Sequence, residues 1–342
     1  MKALQFCSSL HGGYFREKRL GTLLTTGLKS FSTGSDSFGS SERLYNFGFR
    51  KVTEEIKSKL VYNLFSHVSN KYDLMNDLMS LRLHRCWKDQ LVRELDLFLK
   101  YHSYKMQEEI HKSEAIDEGE ESSASHSTCK ILDLAGGTGD IAFRILERYK
   151  YYLKKMNQGS NFDGEEGHPD KFYARFTPEV IVADVNKDMI EVGKKRAKEK
   201  NHERNIKWVI ENAENLNSFD DNSVDIVTLS FGIRNFTNIP KSLKEIHRVL
   251  KPGGRFLCLE FCRVNCSVLK PFYNAYLMNI IPLLGKIVAS SEDSYKYLAE
   301  SIQTFLTPDE LSQLMHQNSF RNISYSTMTM GIVAIHSAYK VN

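Results

Sequence analysis

Short apolar runs alternate with amphipathic stretches along the chain after residue 128. Runs rich in Val, Ile and Leu predict buried strands at KILDLA, EVIVAD, IKWVI, VDIVTLSF and RFLCLEF. Apolar positions three and four residues apart predict helices at IAFRILERYKYYLKKM, DMIEVGKKRAKEK and IPKSLKEIHRVL. Because strands and helices alternate, the pattern predicts an α/β fold with a mostly parallel sheet that helices cover on both faces.

The end of the chain breaks this alternation. The segments FRNISYSTM and GIVAIHSAYK are strand-like and are joined by a short turn that contains Gly331, so they predict a β-hairpin. An ordinary dinucleotide-binding fold does not finish its parallel sheet with an antiparallel hairpin strand. A Rossmann-like, seven-stranded sheet with this C-terminal hairpin is typical of class I S-adenosylmethionine-dependent methyltransferases.

The flanking segments predict the domain organisation. Leu60, Leu64, Val68 and Tyr72 recur every fourth residue, which predicts helices upstream of the sheet. We expect a disordered leader at 1–40, a helical cap at 41–102, an acidic linker at 103–128 and a methyltransferase core at 129–342. The core is expected to contain a polar surface insertion at 151–177 and a helical substrate lid at 265–305. Within the lid, Pro282 and Gly285 interrupt an apolar stretch, which predicts a helix–turn–helix packed on the core or, alternatively, an apolar mouth or membrane-facing patch.

The leader carries the net charge of the chain. Its first 35 residues contain five basic residues and one acid, and the whole chain has a net charge of +4. This Ser- and Thr-rich, acid-poor composition predicts a mitochondrial or plastid transit peptide, with a basic disordered tail as the alternative. The neutral remainder shows no basic stripe, which argues against a nucleic-acid partner. No run of about 18 apolar residues is present, so we expect no transmembrane segment.

The cysteines do not indicate a metal centre. Cys258, Cys262 and Cys266 recur every fourth residue, but Cys258 lies in a predicted strand and no CxxC or HxxxH pair completes a zinc set. The six cysteines also lack the paired spacing of a secreted disulfide scaffold. We therefore expect neither a metal ion nor structural disulfides.

A glycine-rich turn follows the first predicted strand of the sheet. Gly136, Gly137 and Gly139 lack a Cβ and allow the backbone to approach a ligand closely at the nucleotide-binding edge of a parallel sheet. No Lys-Ser/Thr pair follows the glycines, which excludes a phosphate-binding P-loop. Gly137, Gly139 and Ala142 also match the GxGxx[G/A] pattern, so a nicotinamide-dependent oxidoreductase is an alternative.

Polar residues at the ends of the next strands favour a sulfonium nucleoside over a dinucleotide. Asp133, just before the glycine turn, suits a ligand ammonium group and would repel a pyrophosphate. Asp184 ends the second strand and is expected to hold both ribose hydroxyls, while Asn212 and Ala213 follow the third strand, where an adenine ring would lie. The alternatives are structural: Asp184 would cap the next helix and Asn212 would shape a turn.

Several longer motifs resemble the ubiquinone/menaquinone biosynthesis C-methyltransferase family. They are LDLAGGTGD, SFGIRNF, RVLKPGGRFLCLEF, DSYKYLAESI, GIVAIHSAYK and the upstream FSHVSNKYDLMNDLMSLRLHRCWK. The resemblance extends from about Val61 to Lys340, apart from the two polar insertions. It implies methyl transfer from S-adenosylmethionine to a ring carbon of a methoxy polyprenyl benzoquinol, a ubiquinone precursor. The family often has Gly where Arg82 stands, which puts the conformation of that turn in doubt.

The resemblance also implies roles for individual residues. Thr138, Asp184, Asn212, Ala213 and Ser230 would contact S-adenosylmethionine, together with Asp133 and the three glycines of the turn. Arginine stays protonated in proteins, so Arg234, after the fourth strand, is expected to stabilise the quinol oxyanion or to orient a water rather than act as a simple base. Tyr72 and Asp73 in the cap are further catalytic candidates, with Asp73 or His84 as the proton acceptor unless these two only cap helices.

The implied setting is the matrix side of the mitochondrial inner membrane, with peripheral membrane contact. The implied partners are the polyprenyl benzoquinol, other proteins of a ubiquinone-biosynthesis complex and a second copy of the chain in a homodimer. A non-catalytic methyltransferase-like scaffold in such a complex is the alternative from another functional class. The intact glycine turn and Asp184 argue against it.

Overall fold

A computed structural model describes residues 18–19, 43–114, 129–157, 178–264, 267–289 and 291–341. The predicted transit peptide lies outside these residues except for Lys18–Arg19. Most of the predicted acidic linker and surface insertion also lies outside them.

The strands of the sheet confirm the predicted order of elements. They are β1 (Lys18–Arg19), the small hairpin strands β2 (Tyr45–Phe47) and β3 (Arg50–Val52), β4 (Lys130–Leu134), β5 (Glu179–Asp184), β6 (Ile206–Ile210), β7 (Val224–Ser230), β8 (Leu250–Phe261), β9 (Phe320–Met328) and β10 (Val333–Lys340). The main sheet has the order β6-β5-β4-β7-β8-β10-β9, with the two-residue β1 paired to the outer edge of β9. Strands β4 to β8 are parallel, and β10 is antiparallel to both β8 and β9.

The helices lie upstream of the sheet, between its strands and before its last hairpin. They are α1 (Glu54–Val68), α2 (Tyr72–Met79), α3 (Leu83–Arg93), α4 (Asp96–Glu114), α5 (Asp140–Asn157), α6 (Lys187–Glu199), α7 (Ile239–Val249), α8 (Leu269–Ala275), α9 (Ile281–Ala289), α10 (Glu292–Thr304) and α11 (Pro308–Gln317). This is the class I S-adenosylmethionine-dependent methyltransferase fold that the hairpin predicted. The strand order reverses at β4, so the carboxyl ends of β4, β5 and β7 form the edge where such folds bind ligands.

Part of the predicted cap belongs to the core of the main sheet. Leu91, Leu95 and Leu99 are fully buried and share an apolar cluster with Ile145 and Leu146 of α5. The four-residue spacing of these leucines forms one continuous stripe across α3 and α4. Those two helices therefore cover one face of the sheet, whereas α1 and α2 lie over its carboxyl edge.

Two predicted polar boundaries are wrong. Helix α4 continues to Glu114, so residues 103–114 are helical although we expected a linker from 103. Ser103 is completely buried and its Oγ donates to the carbonyl of Lys100, which ties this segment to the helix. Likewise α5 continues to Asn157, with Leu153 buried, where a surface insertion was expected from 151. Polar composition misled us because both helices expose one face.

The predicted break at Pro282 and Gly285 is also wrong. Helix α8, a π-helical turn at Tyr276–Ile280 and α9 follow one another without a loop. The wider π turn lies directly before Pro282, where a proline would otherwise clash with the preceding turn. Gly285 faces α10, and a Cβ there would lie 2.2 Å from Cδ2 of Tyr295. Its role is thus close helix packing rather than a turn.

The turn before α3 keeps the conformation that suits glycine. Arg82 adopts a left-handed backbone with φ of 65°, and the preceding Leu81 has φ of 49°. A side chain in this region costs roughly 1–2 kcal/mol. Arg82, where the resembling family often has Gly, therefore adds strain to this turn.

Candidate active site

Two adjoining cavities lie at the carboxyl edge of the sheet, beneath α1 and α2. We name the first the glycine cleft; it is lined by residues 133–138, Asp184, Ala213 and Ser230, among others. We name the second the apolar cavity; it has a volume of about 220 Å³ and is lined mainly by aromatic and aliphatic side chains. Phe65, Tyr72 and Phe231 line both cavities, so a ligand in one would meet a ligand in the other at these three side chains.

Hydrogen bonds from α1 hold the cap over the glycine cleft. Lys57 Nζ donates to the carbonyl of Phe236 at 2.7 Å. Asn186 Nδ2 donates to the carbonyl of Tyr62 and to Ser66 Oγ, both at 2.9 Å. Because Asn186 and Phe236 also line the cleft, the position of α1 and the shape of the cleft are linked.

The predicted glycine turn is present and tight. Ala135 and Gly137 have φ of 51° and 55°, so the chain turns sharply as it leaves β4. At Gly136 a Cβ would lie 2.7 Å from Oδ2 of Asp133. The absent side chain therefore lets the backbone of the turn pass directly against that carboxylate oxygen, which is the close backbone approach that the glycines predicted.

Two buried polar atoms on the cleft lack a protein partner. Asp133 is completely buried, and its Oδ1 accepts a hydrogen bond from Thr228 Oγ1 at 2.9 Å. Its Oδ2 and the Oγ of Ser230 have no hydrogen-bond partner among the described residues. Burial raises the pKa of Asp133 to about 7, against the lowering effect of Thr228. Unpartnered buried polar atoms are rare, and a ligand with hydrogen-bond donors would satisfy this pair.

Asp184 is positioned by the backbone rather than by a cap role. Its Oδ2 accepts from the N–H of Gly137 at 2.9 Å, and its Oδ1 accepts from the N–H of Asn186 at 2.8 Å. Asn186, not Asp184, caps α6 through Met189 N. Burial raises the pKa of Asp184 to about 6 although these backbone donors oppose the shift. Each oxygen retains a lone pair for a ligand hydroxyl.

The segment after β6 has a structural role besides its place in the cleft. Asn212 Oδ1 accepts from the N–H of Glu214 at 2.9 Å, so this oxygen shapes a turn as the alternative interpretation held. Ala213 is buried on the cleft wall. Glu214 Oε1 accepts from the N–H groups of Thr237 and Asn238 at 2.8 and 2.9 Å, which fixes the loop after β7.

The structure does not bring Asp73 into either cavity. Asp73 lines a neighbouring polar groove, where its Oδ2 accepts from Arg196 Nη1 at 2.5 Å. The same nitrogen donates to Thr138 Oγ1 at 2.8 Å, so Asp73 supports the glycine turn through Arg196. The expectation that Asp73 accepts the substrate proton is therefore replaced by a structural role, because its carboxylate is already paired.

His84 lines the apolar cavity as a neutral side chain. Its Nδ1 lies 2.8 Å from Ser80 Oγ, and its Nε2 lies 3.7 Å from Asp77 Oδ1. Burial and the neighbouring Lys88 lower the pKa of His84 to about 4. Such an imidazole is a weak base for a phenol, whose pKa is about 10. His84 is thus placed to contact a substrate, but its basicity is poorly matched to removing the proton.

Arg234 lines the apolar cavity from the short 3₁₀ turn Ile233–Asn235 after β7. Its side chain is only 6% exposed, and its Nη1 donates to the carbonyl of Phe231 at 2.6 Å and to Glu260 Oε1 at 2.9 Å. The Nε–H has no acceptor among the described residues. Arg234 is therefore a buried cation at the wall of the apolar cavity that retains one unused donor.

Sequence reasoning missed an ion pair that joins the cap to the glycine turn. Lys88 of α3 is buried, and its Nζ lies 3.0 Å from Asp140 Oδ2 at the start of α5. Although burial favours the neutral acid, Lys88 and Arg144 keep the pKa of Asp140 well below its usual range. The partners are 52 residues apart, so no local spacing signals the contact.

Comparisons with known proteins identify relatives of this chain. The model of the ubiE/COQ5 methyltransferase family matches residues 52–340. The mitochondrial 2-methoxy-6-polyprenyl-1,4-benzoquinol methylase of Oryza sativa subsp. japonica is 41% identical over 298 residues, covering 86% of this chain and 88% of that protein. The methylase of the same name from Bos taurus is 38% identical over 304 residues, covering 86% of this chain and 83% of that protein. The ubiquinone/menaquinone biosynthesis C-methyltransferase UbiE of Rickettsia prowazekii (strain Madrid E) is 38% identical over 296 residues, covering 86% of this chain and 98% of that protein.

The family match extends from the cap to the last strand and rules out the nicotinamide-dependent alternative. The unpartnered donors and acceptors of the glycine cleft fit S-adenosylmethionine, the methyl donor of that family. The chain belongs to the ubiE/COQ5 family of S-adenosylmethionine-dependent C-methyltransferases, enzymes of ubiquinone biosynthesis.

Proposed function

We propose that this enzyme methylates a ring carbon of a 2-methoxy-6-polyprenyl-1,4-benzoquinol in mitochondria. The observation that carries the proposal is the apolar cavity, which holds a buried arginine and meets the glycine cleft at Tyr72 and Phe231. An apolar pocket with one convergent cation suits a hydrophobic ring that develops negative charge on oxygen. The names of the mitochondrial relatives specify that quinol.

In the glycine cleft, several polar groups have a counterpart on S-adenosylmethionine. Asp133 would accept from the ammonium group, and Asp184 would accept from both ribose hydroxyls. Ala213 offers an apolar surface to the adenine, with the exposed Asn212 beside it, while Ser230 and Thr138 contribute hydroxyl groups. When held by these residues, S-adenosylmethionine would supply an electrophilic methyl group.

The chain's own residues have two tasks in the reaction. A ring carbon attacks more readily if the neighbouring hydroxyl is ionised, and ionising a phenol of pKa near 10 at pH 7 costs about 4 kcal/mol. The Arg234 Nε–H would donate to the oxyanion and reduce this cost. Alignment of the ring with the methyl group, to which Tyr72 and Phe231 contribute, accounts for up to roughly 7–11 kcal/mol of the barrier.

The test is an assay of the purified enzyme with methyl-labelled S-adenosylmethionine and a demethylated 2-methoxy-6-polyprenyl-1,4-benzoquinol. We expect label on a ring carbon of the quinol and formation of S-adenosylhomocysteine. Transfer to an oxygen atom, or binding of S-adenosylhomocysteine without transfer to any such quinol, would overturn the proposed substrate.

The affinity for the cofactor should depend on pH through Asp133. A cationic ammonium group favours the ionised carboxylate, whose pKa in the free enzyme is raised to about 7. Affinity for S-adenosylhomocysteine should therefore be fully present above this pKa and fall toward about tenfold per pH unit below it. Calorimetry between pH 5.5 and 8.5 measures the effect. An analogue without the amino group is the control, and an equal slope for both ligands would contradict the assignment.

Exposed apolar side chains flank the mouth of the apolar cavity. Leu81 lines the cavity and is nevertheless 83% exposed, which places the opening beside α2. Phe272 of α8 and Leu283 and Ile287 of α9 are also exposed, whereas Tyr273 and Ile281 on the same two helices line the apolar cavity. A polyprenyl tail would leave through this opening. No helix in the described ranges is long and apolar enough to cross a membrane.

We name the exposed side chains of Leu81, Phe272, Leu283 and Ile287 the apolar rim. We propose that this rim contacts the matrix side of the mitochondrial inner membrane as a peripheral membrane surface. The double variant Leu283→Glu/Ile287→Glu should weaken binding to phosphatidylcholine and cardiolipin liposomes in co-sedimentation by about 30-fold, since each exposed apolar side chain contributes on the order of 1 kcal/mol. Leu284 is avoided because it packs against the cluster beneath the rim. The matched control, Leu97→Glu/Tyr101→Glu, changes exposed apolar residues on α4. Equal losses in both double variants would refute this orientation.

The predicted homodimer and the contact with other proteins of a ubiquinone-biosynthesis complex stay predictions. Analytical ultracentrifugation of the Leu283→Glu/Ile287→Glu variant beside the wild type would show whether self-association uses the rim.

A further inference from the structure

Lys88 is a buried lysine that lines the glycine cleft. It belongs to α3, and its side chain is only 7% exposed. The acids on the cleft wall are Asp133, Asp140, Asp184, Glu211 and Glu214. Among the described residues that line the cleft, Lys88 is the only one with a basic side chain. A ligand in this cleft therefore meets several carboxylates and one cation.

The ammonium group of Lys88 has more donors than its one protein contact uses. An ammonium group carries three N–H donors. Nζ lies 3.0 Å from Asp140 Oδ2, and Nζ makes no second hydrogen bond to any residue that the structure describes. The remaining donors are therefore open to a ligand. A buried lysine is uncommon unless it is paired, so the contact with Asp140 accounts for the burial but not for the place in the cleft.

The arginines near this ion pair have acidic partners of their own. Arg144 pairs with Asp89, and Arg196 pairs with Asp73. Both arginines line the neighbouring polar groove rather than the glycine cleft. Lys88 is thus the cation that an anionic group inside the cleft would contact.

Lys88 lies at the same end of the cleft as Asp133. Burial raises the pKa of Asp133, and the charge of Lys88 is among the effects that oppose this shift, so the two groups are neighbours. Asp140, the partner of Lys88, is the first residue of α5 and directly follows the glycine turn. The start of a helix favours a negatively charged ligand group. One end of the cleft thus offers a carboxylate and an ammonium group side by side.

We propose that Lys88 binds the carboxylate in the amino-acid part of S-adenosylmethionine; this rests on the proposed place of the methyl donor in the glycine cleft. In an α-amino acid the ammonium and carboxylate groups share one carbon, so their binding partners must be neighbours. Asp133 accepts from the ammonium group, and Lys88 donates to the carboxylate. The one basic side chain on the described wall of the cleft then pairs with the one anionic group of the ligand.

This assignment makes Lys88 a specificity-determining residue. Loss of the carboxylate leaves the sulfonium, its methyl group and the nucleoside of the donor unchanged. A decarboxylated donor keeps the ribose contacts with Asp184 but places no anion beside Lys88. The enzyme should therefore select the donor that carries the intact amino acid.

The decisive experiment is calorimetric titration of wild type and Lys88→Gln with two ligands, S-adenosylhomocysteine and its analogue without the carboxylate. Wild type should bind S-adenosylhomocysteine about 30-fold more tightly than the analogue, the range expected for a hydrogen bond between charged groups. Lys88→Gln should lose about 30-fold in affinity for S-adenosylhomocysteine but no more than about twofold for the analogue. If Lys88 serves only to hold α3 against Asp140, both ligands lose affinity equally, and that result would overturn the proposal.

Two further variants serve as controls for non-specific effects and for misfolding. Arg93→Gln removes an exposed basic residue from the last turn of the same helix and should bind both ligands like wild type. If Lys88→Gln does not fold, Asp140→Asn decides, because it removes the observed partner of Lys88 and keeps the lysine charge. This variant should prefer S-adenosylhomocysteine to the analogue at least as strongly as wild type does, and equal binding of the two ligands would contradict the proposal.

The wild type alone separates this proposal from the one on which it rests. Absence of affinity for both ligands refutes the place of the methyl donor in the glycine cleft, whereas equal affinity for the two ligands refutes only the role of Lys88. Neither titration contains a quinol, so both outcomes are independent of the proposed methyl acceptor.

Discussion

Changing Arg234 to lysine should lower kcat for quinol methylation by about 100-fold or more, the range seen when one donor to an oxyanion is removed. Arg234 has one nitrogen committed to Phe231 and Glu260 and another donor that is unused. Lysine keeps the positive charge and can pair with Glu260, but it lacks the planar guanidinium group, which donates hydrogen bonds in two directions at once. The loss should therefore appear in the chemical step. Steady-state kinetics with labelled methyl donor measures it.

The affinity for S-adenosylhomocysteine should change by no more than about twofold in this variant, because Arg234 lines the apolar cavity and not the glycine cleft. Lysine is preferable to alanine here, since alanine would leave Glu260 as an unpaired buried carboxylate and cost about 3–5 kcal/mol of stability. Arg255→Lys is the matched control: Arg255 lies on the same strand as Glu260 and pairs with Glu94 away from the cavity. Near-normal kcat in Arg234→Lys would remove the arginine from the mechanism.

The sheet was predictable because its strands bury both faces. Leu132, Val182 and Val227 are buried in parallel strands, so the sequence shows continuous apolar runs that end at turn residues. The antiparallel hairpin was visible for the same reason, with Gly331 marking its turn. These signals are local, and the predicted strand bounds agree with the structure to within two residues except at the start of β8, which begins at Leu250 rather than Arg255. The short strands β1, β2 and β3 were not predicted.

Helix ends and the packing between elements were harder to predict from the sequence. A surface helix such as α4 exposes one polar face, so an acidic composition after residue 102 looked like a linker although the helix continues to Glu114. Pro282 and Gly285 looked like helix breakers, yet a π turn accommodates the first and the Tyr295 ring packs closely on the second. Such outcomes depend on tertiary contacts that local propensity does not encode.

The candidate site divides in the same way. Asp133 and Asp184 lie at the carboxyl ends of β4 and β5, and Gly136 follows β4. Because the strand ends of a parallel sheet converge, their proximity could be predicted. Asp73 was misassigned because its partner Arg196 is far away in the sequence. Glu260 carried a signal that we missed: it is a single acid inside the apolar run LCLEF, and a buried acid needs a partner.

Replacing Asp184 with alanine should weaken binding of S-adenosylhomocysteine by about 100-fold or more. Hydrogen bonds to a charged group contribute about 1.5–3 kcal/mol each, and Asp184 is expected to accept from two ribose hydroxyls. A total of about 3 kcal/mol corresponds to roughly two orders of magnitude in Kd. The variant also removes the acceptor of the Gly137 N–H, which helps to hold the glycine turn. Calorimetric titration of the wild type and the variant gives the difference directly.

A ligand that lacks one ribose hydroxyl separates the direct contact from the effect on the turn. Wild type should bind the 2′-deoxy analogue of S-adenosylhomocysteine about tenfold more weakly than the parent, whereas Asp184→Ala should bind both alike, since the acceptor is gone. Asp188→Asn is the matched control, because Asp188 is an exposed acid in the first turn of α6, the helix that follows β5. This variant should bind both ligands like wild type. If the variant still discriminates between the two ligands as strongly as the wild type, Asp184 does not hold the ribose. Its weaker binding would then arise from the loosened turn between β4 and α5.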